Sequence, residues 1–281
     1  KEYRAKLVTP ADAVRVVRSG DWVEYGQFAV QAVALDRALA ARKDELWDVK
    51  IRATARAAGT PEVVKADPTA EHFAYHNLHF SASDRKLHDQ GVCWFVPILY
   101  HEVPRYYREN CHLDVAMLPT APMDAHGYFN FSLSNSFSRA ICDKAKTVIL
   151  EVNPNLPVCL GGREEAIHIS EVDAVVEAEW NIPELPAAAP SEMDRKIATL
   201  IMGEIEDGSC LQLGIGGMPN AVGSMIARSS LKDLGIHTEM FCDAMVELAE
   251  TGHVTGARKT IDRFKIVYTF CLGTRKAYEF L

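Results

Sequence analysis

A glycine-rich turn in the last third of the chain has the composition of an anion-binding site. The apolar run 210–213 leads into Gly214, Gly216 and Gly217, and Pro219 then opens a stretch with helical apolar periodicity. This order predicts a strand, a tight turn and the start of a helix. Because such turns present free backbone N–H groups, we expect the glycines to face an anion or an oxyanion.

Glu239 is the candidate reactive group behind this turn. It lies at the end of a second strand-like segment, between Thr238 and Met240, and Asp243 follows at the predicted start of the next helix. A carboxylate at a strand end beside a glycine turn is a candidate nucleophile.

Other interpretations of these residues stay open on the residues alone. The pattern Gly214-x-Gly216-x-x-Pro219 approaches a dinucleotide-binding fingerprint, but proline stands where a third glycine or alanine is needed. Glu239 by itself is also typical of a surface or capping carboxylate. Three further acidic residues share one helical face, which indicates a solvated acidic surface: Asp243, Glu247 and Glu250.

The composition describes a globular protein and excludes several classes. The chain has 281 residues, of which 48% are hydrophobic, and a formal charge of -8. Its basic residues are scattered, whereas a nucleic-acid groove needs clustered Lys and Arg. No apolar run reaches the ~18 residues of a membrane span and the first residues form no signal segment. We therefore expect a soluble, cytoplasmic protein.

The cysteines and histidines do not form a metal-binding pattern. Seven cysteines, an odd number, include no Cys-x-x-Cys pair and mostly lie in apolar runs. We expect reduced thiols that pack as small hydrophobic groups, including Cys210 and Cys242 near the glycine turn. His237 and His253 have no partner at metal-ligand spacing, so no metal site is expected. The nucleophile elbow of serine hydrolases is also absent from the sequence.

Strands and helices alternate along the chain, which is typical of a parallel sheet covered by helices. We predict five strands before residue 155, at 22–25, 49–53, 92–96, 113–118 and 148–152. Three prolines in residues 183–190 prevent regular structure and mark a domain boundary, giving domains 1–186 and 187–281. The predicted fold class is α/β with two open parallel-sheet domains. The second shows roughly three strands, where such sheets commonly have ~5 to 6, and is expected to be incomplete.

The paired segments 211–222 and 234–241 closely resemble the acetyl-CoA hydrolase/transferase family, in particular its butyryl-CoA:acetate and 4-hydroxybutyrate CoA-transferases. The resemblance extends over nearly the whole chain. Supporting stretches lie at 104–108, 121–131, 151–153 and 262–274.

The resemblance implies a family I CoA-transferase in which Glu239 attacks an acyl-CoA carbonyl and then carries CoA as a glutamyl thioester. Gly214, Gly216 and Gly217 match the family's active-site glycine loop, whose N–H groups would stabilise oxyanions. Coenzyme A enters as a substrate, and no tightly bound cofactor is implied. The partners implied are an acyl-CoA, a carboxylate such as acetate, and further copies of the chain in a homo-oligomer, with a homodimer expected.

Departures from the family pattern fall in loops that face the acyl pocket in relatives. Val30 and Ala32 stand where the family usually has glycine and proline, and Ser132 replaces a glycine. Gln27, Phe28 and Ser132 are the candidate acyl-pocket residues. Family members continue well past the position of Leu281, so we expect a truncated or cleaved chain, or a partner chain that supplies the remainder. Besides CoA transfer, an acyl-CoA hydrolase and a non-catalytic binding subunit or fragment stay open.

Overall fold

The computed structural model describes all 281 residues, which divide into two compact units, Lys1–Pro183 and Glu184–Leu281. The first unit has ten strands: β1 (Trp22–Gln27), β2 (Val30–Gln31), β3 (Val49–Thr54), β4 (Phe73–Asn77), β5 (Cys93–Phe95), β6 (Val115–Thr120), β7 (Tyr128–Asn130), β8 (Thr147–Val152), β9 (Ala166–His168) and β10 (Ala174–Glu177). Its helices are α1 (Glu2–Lys6), α2 (Pro10–Ala13), α3 (Ala34–Ala40), α4 (Glu62–Ala66), α5 (Ala82–Asp89), α6 (Val103–Arg105) and α7 (Ser138–Lys144).

The main sheet of the first unit is parallel, in the order β10-β8-β6-β1-β3-β4-β5. The short β2 pairs antiparallel with β1, and β7 and β9 form a separate antiparallel pair. Parallel neighbours require crossover connections, and helices supply several of them. The carboxyl ends of these strands, with the loops that follow, therefore lie along one edge of the sheet.

Both faces of the sheet are covered, as its central strands show. In β6, Val115 and Met117 pack in the same core as α3 and α4. The alternate residues Ala116 and Leu118 pack in a second core that contains side chains of α7. Because successive strand residues point to opposite faces, two cores mean two covered faces, which accounts for the unbroken apolar runs.

The five strands predicted in this half are confirmed as β1, β3, β5, β6 and β8. Three features were not predicted: the two-residue β2, β4, whose sequence Phe-Ala-Tyr-His-Asn is short and partly polar, and the β7–β9 pair. The Thr9-Pro10 pair predicts a helix that runs to about Gly20, but α2 is shorter and gives way to a 3-10 turn at Val14–Val16.

The second unit alternates short strands and helices. Its elements are α8 (Glu192–Met202), β11 (Cys210–Leu211), α9 (Gly217–Ile226), β12 (Gly235–Ile236), β13 (Met240–Phe241), α10 (Asp243–Glu250), β14 (Phe270–Cys271) and α11 (Arg275–Phe280). The pairs β11–β12 and β13–β14 are parallel. The apolar run over 265–271 predicts a longer strand than the structure has, because only its last two residues pair as a strand and Val267 forms a single bridge.

Residues 181–190 form neither helix nor strand, as their prolines predict. None of the helices combines the length and the apolar character that crossing a bilayer requires.

Candidate active site

The glycine turn connects β11 to α9, and the helix begins at Gly217, two residues before the predicted proline start. Gly216 is the N-cap residue and has φ +118°, a conformation that residues with a side chain rarely adopt. Pro219 is the third residue of the helix, where its missing N–H breaks no intrahelical hydrogen bond. The turn is therefore fixed by backbone geometry and not by a side-chain cap.

The other two glycines of the turn are needed for different reasons. A Cβ at Gly217 would lie 2.6 Å from Oδ2 of Asp194, a residue in the first turn of α8, so Gly217 allows close packing. A Cβ at Gly214 would meet nothing within 4 Å, and Gly214 is exposed. Since no part of the unit occupies the space in front of Gly214, a ligand has access to the backbone there.

Glu239 lies at a bend between β12 and β13 and is exposed. Its backbone is held firmly, because its carbonyl oxygen accepts from the N–H of Thr269 at 3.0 Å and from the Thr269 hydroxyl at 2.7 Å. Its carboxylate makes no ion pair or hydrogen bond within the second unit. A fixed backbone with a free carboxylate is compatible with a nucleophilic role.

Two residues near Glu239 contact the segment that carries the glycine turn. The hydroxyl of the buried Thr238 lies 3.4 Å from the carbonyl oxygen of Leu213 and 3.0 Å from that of Met240. The thiol of Cys242 lies 3.9 Å from the carbonyl oxygen of Gly214. The structure thus brings the predicted turn and the predicted carboxylate segment together, and Thr238 is a linking residue that was not predicted.

Two predictions about nearby residues need correction. Asp243 is not part of a solvated acidic face, because its carboxylate accepts from the N–H of Thr274 at 2.8 Å and from the Thr274 hydroxyl, which fixes the start of α11. Glu250, although exposed, pairs with Lys276 at 2.6 Å. Cys210 is exposed, whereas the other six cysteines are buried as predicted. The short β11 leaves the Cys210 side chain uncovered, so its apolar neighbours in sequence were misleading.

The candidate acyl-pocket residues lie in the first unit, in loops at the carboxyl ends of strands. Phe28 is buried with φ +52°, and Gln27 donates from Nε2 to the Ser138 hydroxyl at 3.0 Å. Ser138 in turn donates to the carbonyl oxygen of Ser134, two residues beyond Ser132. The end of β1 and the loop after β7 are therefore linked through Ser138.

The departures from the family pattern have clear structural settings. Ser132 has φ +60°, a left-handed conformation that favours glycine, and its hydroxyl donates to the carbonyl oxygen of Pro157 at 2.6 Å. Val30 and Ala32 are buried, at 3% and 0% exposure. Gly26, with φ +89°, turns the chain so tightly that an added Cβ would lie 2.7 Å from the Val30 carbonyl oxygen.

A buried polar network below the Gly26 turn was not predicted. The carboxylate of Glu24 accepts from the N–H of Gly26 at 3.1 Å and from the hydroxyl of Tyr107. Burial raises the pKa of Glu24 to about 7, against the opposing charge of Arg52. Arg52 stacks over the ring of Trp22 at 4.5 Å. The sequence signal that could have indicated this network is Glu24, a charged residue inside the otherwise apolar start of β1.

Comparison with known proteins adds a consistent set of relatives. The model of the acetyl-CoA hydrolase/transferase N-terminal domain matches residues 1–185. The chain is 50% identical to the butyryl-CoA:acetate CoA-transferase of Anaerostipes caccae, over 100% of this chain and 64% of that protein. It is 34% identical to the 4-hydroxybutyrate coenzyme A transferase of Clostridium kluyveri, over 99% of this chain and 64% of that protein.

Solved structures show the same architecture. The crystal structure of RipA from Yersinia pestis superposes with a TM-score of 0.91 at 34% identity, covering 100% of this chain and 66% of that one. The 4-hydroxybutyrate CoA-transferase of Porphyromonas gingivalis gives a TM-score of 0.79 at 28% identity, covering 99% and 65%. The chain thus spans somewhat less than two thirds of the length of the relatives it matches in sequence.

Proposed function

Because this chain belongs to the acetyl-CoA hydrolase/transferase family, we propose that it acts in CoA transfer between a short-chain acyl-CoA and a carboxylate such as acetate. Butyryl-CoA and 4-hydroxybutyryl-CoA are the acyl donors we favour, since relatives named for butyrate and 4-hydroxybutyrate match the chain over its full or nearly full length.

One observation carries the assignment of the nucleophile. Glu239 combines a carboxylate without a partner in its own unit with a backbone anchored by Thr269, and two residues near it contact the segment that carries the glycine turn. The arrangement supports a group that must reach a substrate in a defined position without an internal ion pair to break.

The proposed chemistry proceeds through two intermediates. An oxygen of the Glu239 carboxylate forms a bond to the acyl carbonyl carbon while the carbon–sulfur bond breaks, giving an acyl-glutamyl anhydride and CoA thiolate. The thiolate then attacks the Glu239 carbonyl carbon, which releases the acid as a carboxylate and leaves a glutamyl-CoA thioester. An incoming carboxylate reverses these steps. No proton is consumed, and the energy of the thioester is retained.

Each attack places negative charge on a carbonyl oxygen, and the glycine turn is the proposed stabilising element. The backbone at Gly214 is open to a ligand, and the first turn of α9, from Gly217, has N–H groups without intrahelical acceptors. Donors held by the backbone need no reorganisation when the charge develops, which is how oxyanion holes accelerate acyl transfer. Gly216 fixes this geometry through its positive φ.

The remaining parts of the proposal concern ligands and surroundings. Gln27, Phe28 and Ser132 would contact the acyl group, with CoA as a substrate and no tightly bound cofactor. We also propose a homo-oligomer, such as a homodimer, in the cytoplasm.

The decisive experiment is to trap the covalent intermediate. The protein is incubated with butyryl-CoA, treated with hydroxylamine, and digested, and the glutamyl hydroxamate is located by mass spectrometry. We expect the modification on Glu239, and exchange of CoA that depends on added acetate. Release of free CoA without acetate would instead establish the hydrolase, in which water intercepts the intermediate.

Matched variants test the role of the side chain. Glu239→Gln should abolish labelling and lower transfer by ~10³-fold or more, as expected for a covalent nucleophile. Glu247→Gln removes an exposed carboxylate of α10 and should leave labelling unchanged. Absence of an adduct on any residue of the wild-type protein would refute the mechanism and favour a non-catalytic binding role.

A further inference from the structure

A cavity of about 280 Å³ lies within the first unit. Phe28 from the loop after β1 and Gln31 from β2 line it, and the loop after β3 contributes Arg56 and Thr60. Trp180, which follows β10, adds an aromatic wall. The carboxyl ends of parallel strands are where open α/β sheets bind their ligands, so the cavity occupies a favoured position in the fold.

The charged groups that line this cavity leave an excess of positive charge. Arg56 pairs with Asp36 at 3.3 Å, and Lys65 pairs with Glu62 at 2.9 Å. Arg37 also lines the cavity, is exposed, and forms no ion pair. Three cations and two carboxylates give a net charge of about +1, and the unpaired cation favours an anionic ligand.

Arg56 also points to a ligand, because its side chain is only 5% exposed and its hydrogen-bond donors are incompletely paired. Its donors reach the Gln31 side-chain oxygen at 3.3 Å, the Ala32 carbonyl oxygen at 3.2 Å and Asp36 at 3.3 Å. These are long contacts, they use three of the five N–H groups of a guanidinium, and Nε has no acceptor. Buried donors without partners are rare in folded proteins.

We propose that this cavity binds a small dicarboxylate, with one carboxylate on Arg56 and the other on Arg37. Guanidinium groups bind carboxylates through two parallel hydrogen bonds, and two arginines on one cavity provide two such anchors. The apolar walls formed by Phe28, Val33 and Trp180 suit the methylene groups between the carboxylates. The volume of about 280 Å³ accommodates a small dicarboxylate such as succinate or glutarate.

Because Phe28 also belongs to the proposed acyl pocket, this inference rests on the proposed function and extends it to a class of ligand. It is tested by binding alone, without turnover, so its failure is distinguishable from failure of the transfer reaction. Isothermal titration calorimetry is performed with succinate, glutarate, butyrate and inorganic phosphate. We expect the better dicarboxylate to bind at least tenfold more tightly than butyrate or phosphate. Arg37→Gln should weaken its binding by about tenfold or more, and Arg56→Met should weaken it further.

Arg15→Gln is the matched control, because Arg15 is an exposed arginine of the same unit outside the cavity and should leave binding unchanged. Arg56→Met removes a buried charge and is checked by tryptophan fluorescence; if it does not fold, the exposed Arg37→Gln variant decides. Equal affinity for succinate, glutarate and butyrate, tighter binding of phosphate, or unchanged dicarboxylate binding in Arg37→Gln would each overturn the proposal.

Discussion

The Gly26 turn offers a sharp test of how the first unit is held together. Gly26 and Gly20 share a φ of +89°, but their surroundings differ. At Gly20 an added Cβ meets nothing within 4 Å, whereas at Gly26 it lies 2.7 Å from the Val30 backbone oxygen and 3.4 Å from Leu118. Replacing each with alanine therefore separates the cost of backbone strain from the cost of steric overlap.

The expected magnitudes follow from these contacts. A left-handed conformation costs a residue with Cβ about 1–2 kcal/mol, and the lower chain entropy of alanine in the unfolded state offsets about 0.4–1 kcal/mol. Gly20→Ala should thus lower the free energy of unfolding by about 0.5–1 kcal/mol. Gly26→Ala adds about 1–3 kcal/mol of overpacking against backbone that cannot rotate away. The expected loss is about 2–4 kcal/mol, since any shift of residue 26 also disturbs its buried hydrogen bond to Glu24.

Urea unfolding followed by tryptophan fluorescence measures both variants. All four tryptophans, at positions 22, 47, 94 and 180, lie in Lys1–Pro183, so this signal follows the first unit. If Gly20→Ala and Gly26→Ala lower the free energy of unfolding by amounts that agree within about 0.5 kcal/mol, the steric argument is refuted. Only the backbone strain common to both glycines would then remain.

Three further predictions address other parts of the chain. The pKa of Glu24 is raised from 4.5 to about 7, so between these pH values the folded protein holds a proton on Glu24 that the unfolded chain has released. Raising the pH from 4.5 to 7 should therefore destabilise the wild type by up to about 3 kcal/mol relative to Glu24→Gln. Gly214→Ala should leave the free energy of unfolding within about 0.5 kcal/mol of the wild-type value while lowering CoA transfer at least ~tenfold, since its Cβ enters space open only to a ligand. A thiol reagent should titrate one fast-reacting cysteine in the native protein, and Cys210→Ser should remove it, because the other thiols are buried.

Each of these three predictions can be contradicted by a specific result. Urea midpoints at pH 5 and pH 7.5 that shift equally in wild type and Glu24→Gln would exclude a proton held by Glu24. Full transfer activity in a folded Gly214→Ala protein would exclude close approach of the substrate to that residue. Two or more fast thiols would show that a cysteine described as buried is accessible.

The order of residues by itself determined the features that depend on local chemistry. Apolar-rich segments predicted β1, β3, β5, β6 and β8, and the clustered prolines predicted an irregular segment at 183–190. The same local logic predicted the glycine turn before a helix and Glu239 beside a strand end. Such features follow from apolar periodicity and from the fixed or permissive φ of proline and glycine.

Only the tertiary structure decided how these pieces meet. The contact of Gly217 with Asp194 joins residues 23 positions apart, and the Thr238 contact with Leu213 spans 25. The burial of Glu24 and the incomplete pairing of Arg56 likewise depend on neighbours from distant segments. A side chain's pKa, its burial and its free donors are set by which groups surround it, and the folded packing of distant segments fixes those groups.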